Sequence, residues 1–63
     1  MTTWTPEQIK LLRLRTNWTQ ADLAHRLGVS RRTVEAWESG LRTMRPIAAR
    51  MLDLLDETIR RRR

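Results

Sequence analysis

Apolar residues recur along this chain at three- and four-residue intervals, and nowhere do they alternate with polar ones as a half-buried strand requires. Four segments carry that helical period. The first opens at Thr5-Pro6-Glu7-Gln8, a dense start signal. Thr5 can cap, Pro6 suits the first helical position, and Gln8 completes a capping box. A helix from about Pro6 to Arg15 or Thr16 follows, with Ile9, Leu12, Arg13 and Thr16 sharing one face. Trp4 before the cap and Ile9 at the fourth helical position have the spacing of a hydrophobic staple, so Trp4 is read as a packing residue. Leu11 and Leu14 lie away from the shared face. They are expected to pack on the last helix, the alternative being a second subunit. Asn17 ends the helix, since asparagine tolerates the left-handed conformation at a C-cap, and Trp18 is expected in the core.

Thr19 caps the second segment, about Gln20 to Leu27, whose apolar face is Leu23, Ala24 and Leu27. Asp22 near its start and Arg26 near its end suit the helix dipole. Gly28 stops it, because only a residue without Cβ turns left-handed cheaply. Ser30 then caps a third helix, about Arg31 to Ser39, ended by Gly40. Val34 and Trp37 form its inward stripe, leaving Arg31, Arg32, Thr33 and Ala36 on or near the outward face. Glu35, four residues after Arg31 and three after Arg32, is placed to pair with either. A helix, a tight glycine turn and a second helix with arginines at its N-terminal end is the layout of a helix-turn-helix. In that layout the second helix enters the major groove of DNA, its first residues against base edges.

Leu41 to Arg45 is read as a connecting loop. Pro46 opens a fourth helix at its favoured first position. Ala48, Leu52, Leu55 and Ile59 are expected to cover the core, and Met51 and Leu54, toward the flank, to be core or a subunit contact, the second being favoured. Arg60 to Arg63 are expected to fray, because four like charges repel. The chain then divides into an N-terminal arm at 1–4, a DNA-binding domain at 5–59 and a basic tail at 60–63.

Composition narrows the class. Sixty-three residues make one small domain, which buries only about 60% of its unfolded surface. Without cysteine, neither a disulfide nor a thiolate metal site staples it. His25 is the sole histidine, with no second ligand four residues on, and is read as a surface residue; no metal and no cofactor are expected. No segment is apolar for the roughly 20 residues of a membrane span, and the N-terminus lacks a signal-peptide pattern, so a soluble cytoplasmic protein is expected. The net charge is +6, but without the four terminal arginines nine basic residues face seven acidic ones. Charge alone is therefore weak evidence for nucleic acid. Position says more, since Arg26, Arg31, Arg32, Arg42 and Arg45 flank the third helix.

At Gln20, Ala24, Gly28-Val29-Ser30, Thr33-Val34 and Trp37-Glu38-Ser39-Gly40 the chain resembles the Cro/C1-type helix-turn-helix regulators of phages and bacteria. The resemblance spans roughly Ile9 to Leu55. It implies an all-α, compact four-helix or five-helix domain of the lambda-repressor type. It also implies that Thr19 and Gln20 clamp a phosphate, and that Arg31 and Arg32 take the first base-reading positions with Thr33 and Ala36 beside them. Arg42, Thr43 and Arg45 then run along the DNA backbone. Arg13 and Glu38 match a pair that ties the first helix to the end of the third.

The resulting expectation is a sequence-specific regulator of double-stranded DNA, a repressor or autorepressor acting as a homodimer on an inverted repeat. The alternative is an antitoxin-type module that masks a toxin partner and regulates its own operon. A membrane-surface role for the fourth helix and tail is disfavoured by the folded context. An enzyme is not expected, because no nucleophile–base pair, metal cage or phosphate-cradling loop is present in the sequence.

Overall fold

The computed structural model describes residues 4–61, in four helices and no strand among them. They are α1 (Pro6–Thr16), α2 (Gln20–Leu27), α3 (Arg31–Ser39) and α4 (Pro46–Arg61). The local chemistry of the ends explains the first three boundaries. Thr5 accepts from the Gln8 N–H at 3.1 Å while the Gln8 side chain accepts from the Thr5 N–H at 3.0 Å. Thr19 and Asp22 make the same reciprocal box on α2, at 3.1 and 2.9 Å. Asn17 and Gly28 close α1 and α2 in the left-handed region, at φ 66° and 72°. Gly40 does the same for α3 at φ 82°.

The core is assembled from one stripe of each helix. Ile9 and Leu12 come from α1, Leu23, Ala24 and Leu27 from α2, Val34 and Trp37 from α3, and Leu52 from α4. Trp4, Trp18, Val29, Met44, Ala48, Leu55 and Ile59 pack around it half-buried. α2 and α3 pack most closely, with α1 against α3 and α4 against α2. Among the half-buried residues Trp4 also bonds across to α4, its indole N–H donating to Asp53 at 2.7 Å.

Three expectations need correction. Leu11 and Leu14 are exposed rather than packed on α4. Leu11 lines an open cleft between α1 and α4, where the polar flanks meet through Arg15 and Asp56 at 3.0 Å. α4 turns the expected face inward, Leu52 in the core with Ala48, Leu55 and Ile59 half-buried against it, and Ala49 is buried beside them. Beside that face Asp53 accepts from Trp4 and Asp56 pairs with Arg15 of α1. Trp18 is half-buried rather than core, and the Arg26 guanidinium stacks over its ring at 4.2 Å. Finally, α4 continues through Arg60 and Arg61 instead of fraying there. Both arginines find acids one turn back, Asp56 at 3.4 Å and Glu57 at 3.2 Å, and cations suit a helix C-terminus. Arg62 and Arg63, like residues 1–3 of the arm, lie outside the described residues.

Candidate nucleic-acid interface

α3 has two unlike faces. Val34, Trp37 and Glu38 are buried, and Glu38 is the one buried charged residue among the described residues. A helix advances roughly 100° per residue, which sets Arg32 almost diametrically opposite that stripe. Arg31 and Glu35 stand to one side of Arg32 and Ala36 to the other. Arg31, Arg32 and Glu35 are exposed, while Thr33 and Ala36 are half-buried.

A charged clamp sets the tilt of this helix. Arg13 of α1 donates to Glu38 through Nε at 2.7 Å and through its second terminal nitrogen at 3.0 Å. Its remaining nitrogen donates to the Trp18 carbonyl at 3.3 Å. Glu38 accepts a third hydrogen bond, from the Gln20 amide at 3.3 Å. Three elements therefore meet on one carboxylate whose side chain is only 3% exposed. Burial pushes the Glu38 carboxyl up, but the hydrogen bonds from Arg13 and Gln20 outweigh it and hold it below its ordinary value. The same bond, with the Glu38 charge, strengthens the hold of Arg13 on its proton. The expected link between α1 and α3 is thus present, and it extends to α2.

The Gln20 contact is one that sequence reasoning missed. The resemblance assigns this side chain to a phosphate, whereas here its amide nitrogen faces Glu38. Both Gln20 and Glu38 were legible as polar residues at helix ends, but only the crossing of α2 over α3 makes them neighbours. Thr19 is likewise engaged in its capping box. The Thr19 backbone N–H bonded to the Asp22 carboxylate, and then the Thr19 hydroxyl, keep the Asp22 pKa below its usual range. At the start of α2 the backbone N–H groups of Gln20 and Ala21 have no partner among the described residues.

The start of α3 differs. No acidic residue lies in its first turn. Ser30 accepts from the Thr33 N–H at 3.2 Å, and the Ser30 and Thr33 hydroxyls lie 2.9 Å apart. Thr33 thus supports the cap as well as standing beside the outer face. Arg31 pairs with Glu35 at 3.0 Å, as their four-residue spacing predicts. Arg32 has no acidic partner among the described residues.

Beyond α3 the chain stays close to the same side. The Arg42 N–H donates back to the Ala36 carbonyl at 3.2 Å, and Met44 is packed against the core. On either side of Met44 the side chains of Arg42, Thr43 and Arg45 are exposed. Met44 is the second residue sequence reasoning missed; a single methionine among polar neighbours carries no periodic signal. Arg26, counted among the flanking cations, is instead stacked on Trp18. Met51 and Leu54 lie on the outer side of α4 and are exposed. His25 is exposed at the end of α2, and no group of three or more metal-ligating side chains occurs among the described residues. No described helix is long and apolar enough to cross a membrane.

Chemically, the exposed side of α3 offers guanidinium donors and one carboxylate on a rigid rod, beside two helix N-termini and a basic loop. A planar guanidinium donates twice to guanine O6 and N7, and free helix-terminal N–H groups favour phosphate oxygens. A comparison with protein-family models matches residues 9–61 to the family described as Helix-turn-helix. No curated protein matches the chain.

Proposed function

Because the chain belongs to the Cro/C1-type helix-turn-helix family of DNA-binding transcriptional regulators, we propose that it reads a specific duplex sequence with the outer face of α3. Two copies sit on an inverted repeat, and they repress by excluding polymerase. Arg32 and Arg31 contact base edges, with Thr33 and Ala36 alongside; Ala36 offers a methyl to thymine. Thr19 and Gln20 approach one phosphate through the start of α2, and Arg42, Thr43 and Arg45 approach the backbone on the other side. The observation that carries this reading is Arg32. It projects opposite the buried stripe, without an acidic partner among the described residues, from a helix clamped by Arg13 and Glu38.

A homodimer follows from the shortage of contacts one short reading helix can make. Two such helices about 34 Å apart read successive major grooves on one side of the duplex. If the pair neutralises about 6–10 phosphates, affinity falls by about 10³–10⁵ between roughly 50 and 200 mM salt. Selection of bound duplexes from a random pool tests the proposal. It should enrich two inverted half-sites about one helical turn apart. Enrichment of no sequence, or of a single unpaired half-site, would contradict it.

A further inference from the structure

On the side of α4 turned from the core, Ile47, Met51 and Leu54 stand 77%, 42% and 56% exposed. Their spacing of four and three continues to Thr58, so the four make one straight stripe. One flank of the stripe carries Arg50 and Glu57, both exposed. Arg50 has no acidic partner among the described residues, and Glu57 has only Arg61 on its own helix. The other flank carries Ala48 and Leu55, half-buried against the core.

We infer that this stripe is a two-fold antiparallel contact with a second copy of the chain, Met51 of each copy meeting the partner's Leu54 and Ile47 meeting the partner's Thr58. The inference rests on the homodimer of the proposed function and specifies its register. A two-fold contact demands that if one position meets another, the second also meets the first. The four-three-four spacing reads the same in both directions and meets that demand about a centre between Leu52 and Asp53. Charge then selects the direction. Antiparallel helices set like flanks together, so Arg50 comes alongside the partner's Glu57, twice by symmetry. Parallel helices set unlike flanks together, placing Arg50 and Glu57 against Leu55 and Ala48, where they lose water and gain no partner. Flanking ion pairs of this kind choose orientation more than they add affinity.

Cysteine cross-linking without DNA tests the register, since the natural chain contains no cysteine. Ile47→Cys chains mixed with Thr58→Cys chains should form a disulfide-linked dimer on mild oxidation, and neither should link to itself. Copies of the same position lie about 16 Å apart along an antiparallel pair, beyond the ~7 Å limit for a disulfide. Sedimentation supplies a second arm. Arg50→Glu and Glu57→Arg should each be monomeric, and a mixture of the two should recover the dimer.

Self-linking of Ile47→Cys would overturn the antiparallel register. So would a dimer indifferent to both charge variants, or a natural chain that stays monomeric or pairs only with a different protein. A monomer that still selects one duplex sequence would overturn this interface and leave the DNA reading standing. A dimer linked as expected that selects no sequence would uphold the interface and remove the DNA reading.

Discussion

Two arginine–glutamate pairs engage α3, one at its start and one near its end, and they differ in nearly everything except chemistry. Arg13 and Glu38 are 17% and 3% exposed, joined by two hydrogen bonds and backed by Gln20 and the Trp18 carbonyl. Arg31 and Glu35 are 67% and 45% exposed and share one contact at 3.0 Å. Burial raises the penalty for breaking the first pair, because the abandoned charge cannot return to water. The second pair opens at little cost, because water or a base edge replaces either partner. The first is therefore suited to holding the helix, and the second to yielding to whatever the helix meets.

Removing one partner of the buried pair gives the largest expected effect. Glu38→Ala should cost about 3 kcal/mol of stability, read as the shift in a urea midpoint at constant slope. A loss no larger than that of a surface residue would show the clamp to be dispensable. Acid acts on the same pair less completely. The Glu38 carboxyl is held below its ordinary value of 4.5, so its contribution is present above that value and lost as pH falls through the lower, folded one. Asp22, also depressed, acts in the same direction. The stability of the natural chain should thus fall more steeply below about pH 4.5 than that of Glu38→Gln. Parallel curves would mean that Glu38 does not titrate with unfolding.

The exposed face should respond in binding and not in stability. Arg32→Ala should weaken the selected duplex by about 1–3 kcal/mol and random DNA hardly at all. Equal losses on both would make Arg32 a phosphate contact. The smallest stability effect belongs to Glu35→Gln, which should lie within about 0.5 kcal/mol. By releasing Arg31, this variant should change the bases enriched in a duplex selection. An unaltered preference with a large loss of stability would reverse the contrast between the pairs.

Much of this was legible before the fold, and for a local reason. Thr5 with Gln8, the caps Thr19 and Ser30, and the left-handed Asn17, Gly28 and Gly40 act within three or four residues, so the bounds of α1 to α3 follow from the chain itself. The outward position of Arg32 follows from helical period once Val34 and Trp37 are inside. What depends on how helices cross was not legible from residue periodicity. α4 is apolar on a wide arc, and only its packing in the fold shows that Ala49 joins Leu52 inside. The link between Arg13 and Glu38 came from family resemblance alone, while Gln20 on Glu38 and Arg26 on Trp18 join residues whose proximity no short-range rule encodes.

The central claim is that the outer face of α3, held by the buried clamp, is the surface that meets DNA. Backbone amide shifts recorded while the selected duplex is added to the natural chain test it most directly. The account predicts the largest changes at Arg31, Arg32, Glu35 and Ala36, smaller ones at Gln20, Ala21 and the loop from Arg42 to Arg45, and little at Leu11 and Leu14. Changes concentrated on α1 or the outer side of α4, with α3 unmoved, would contradict it.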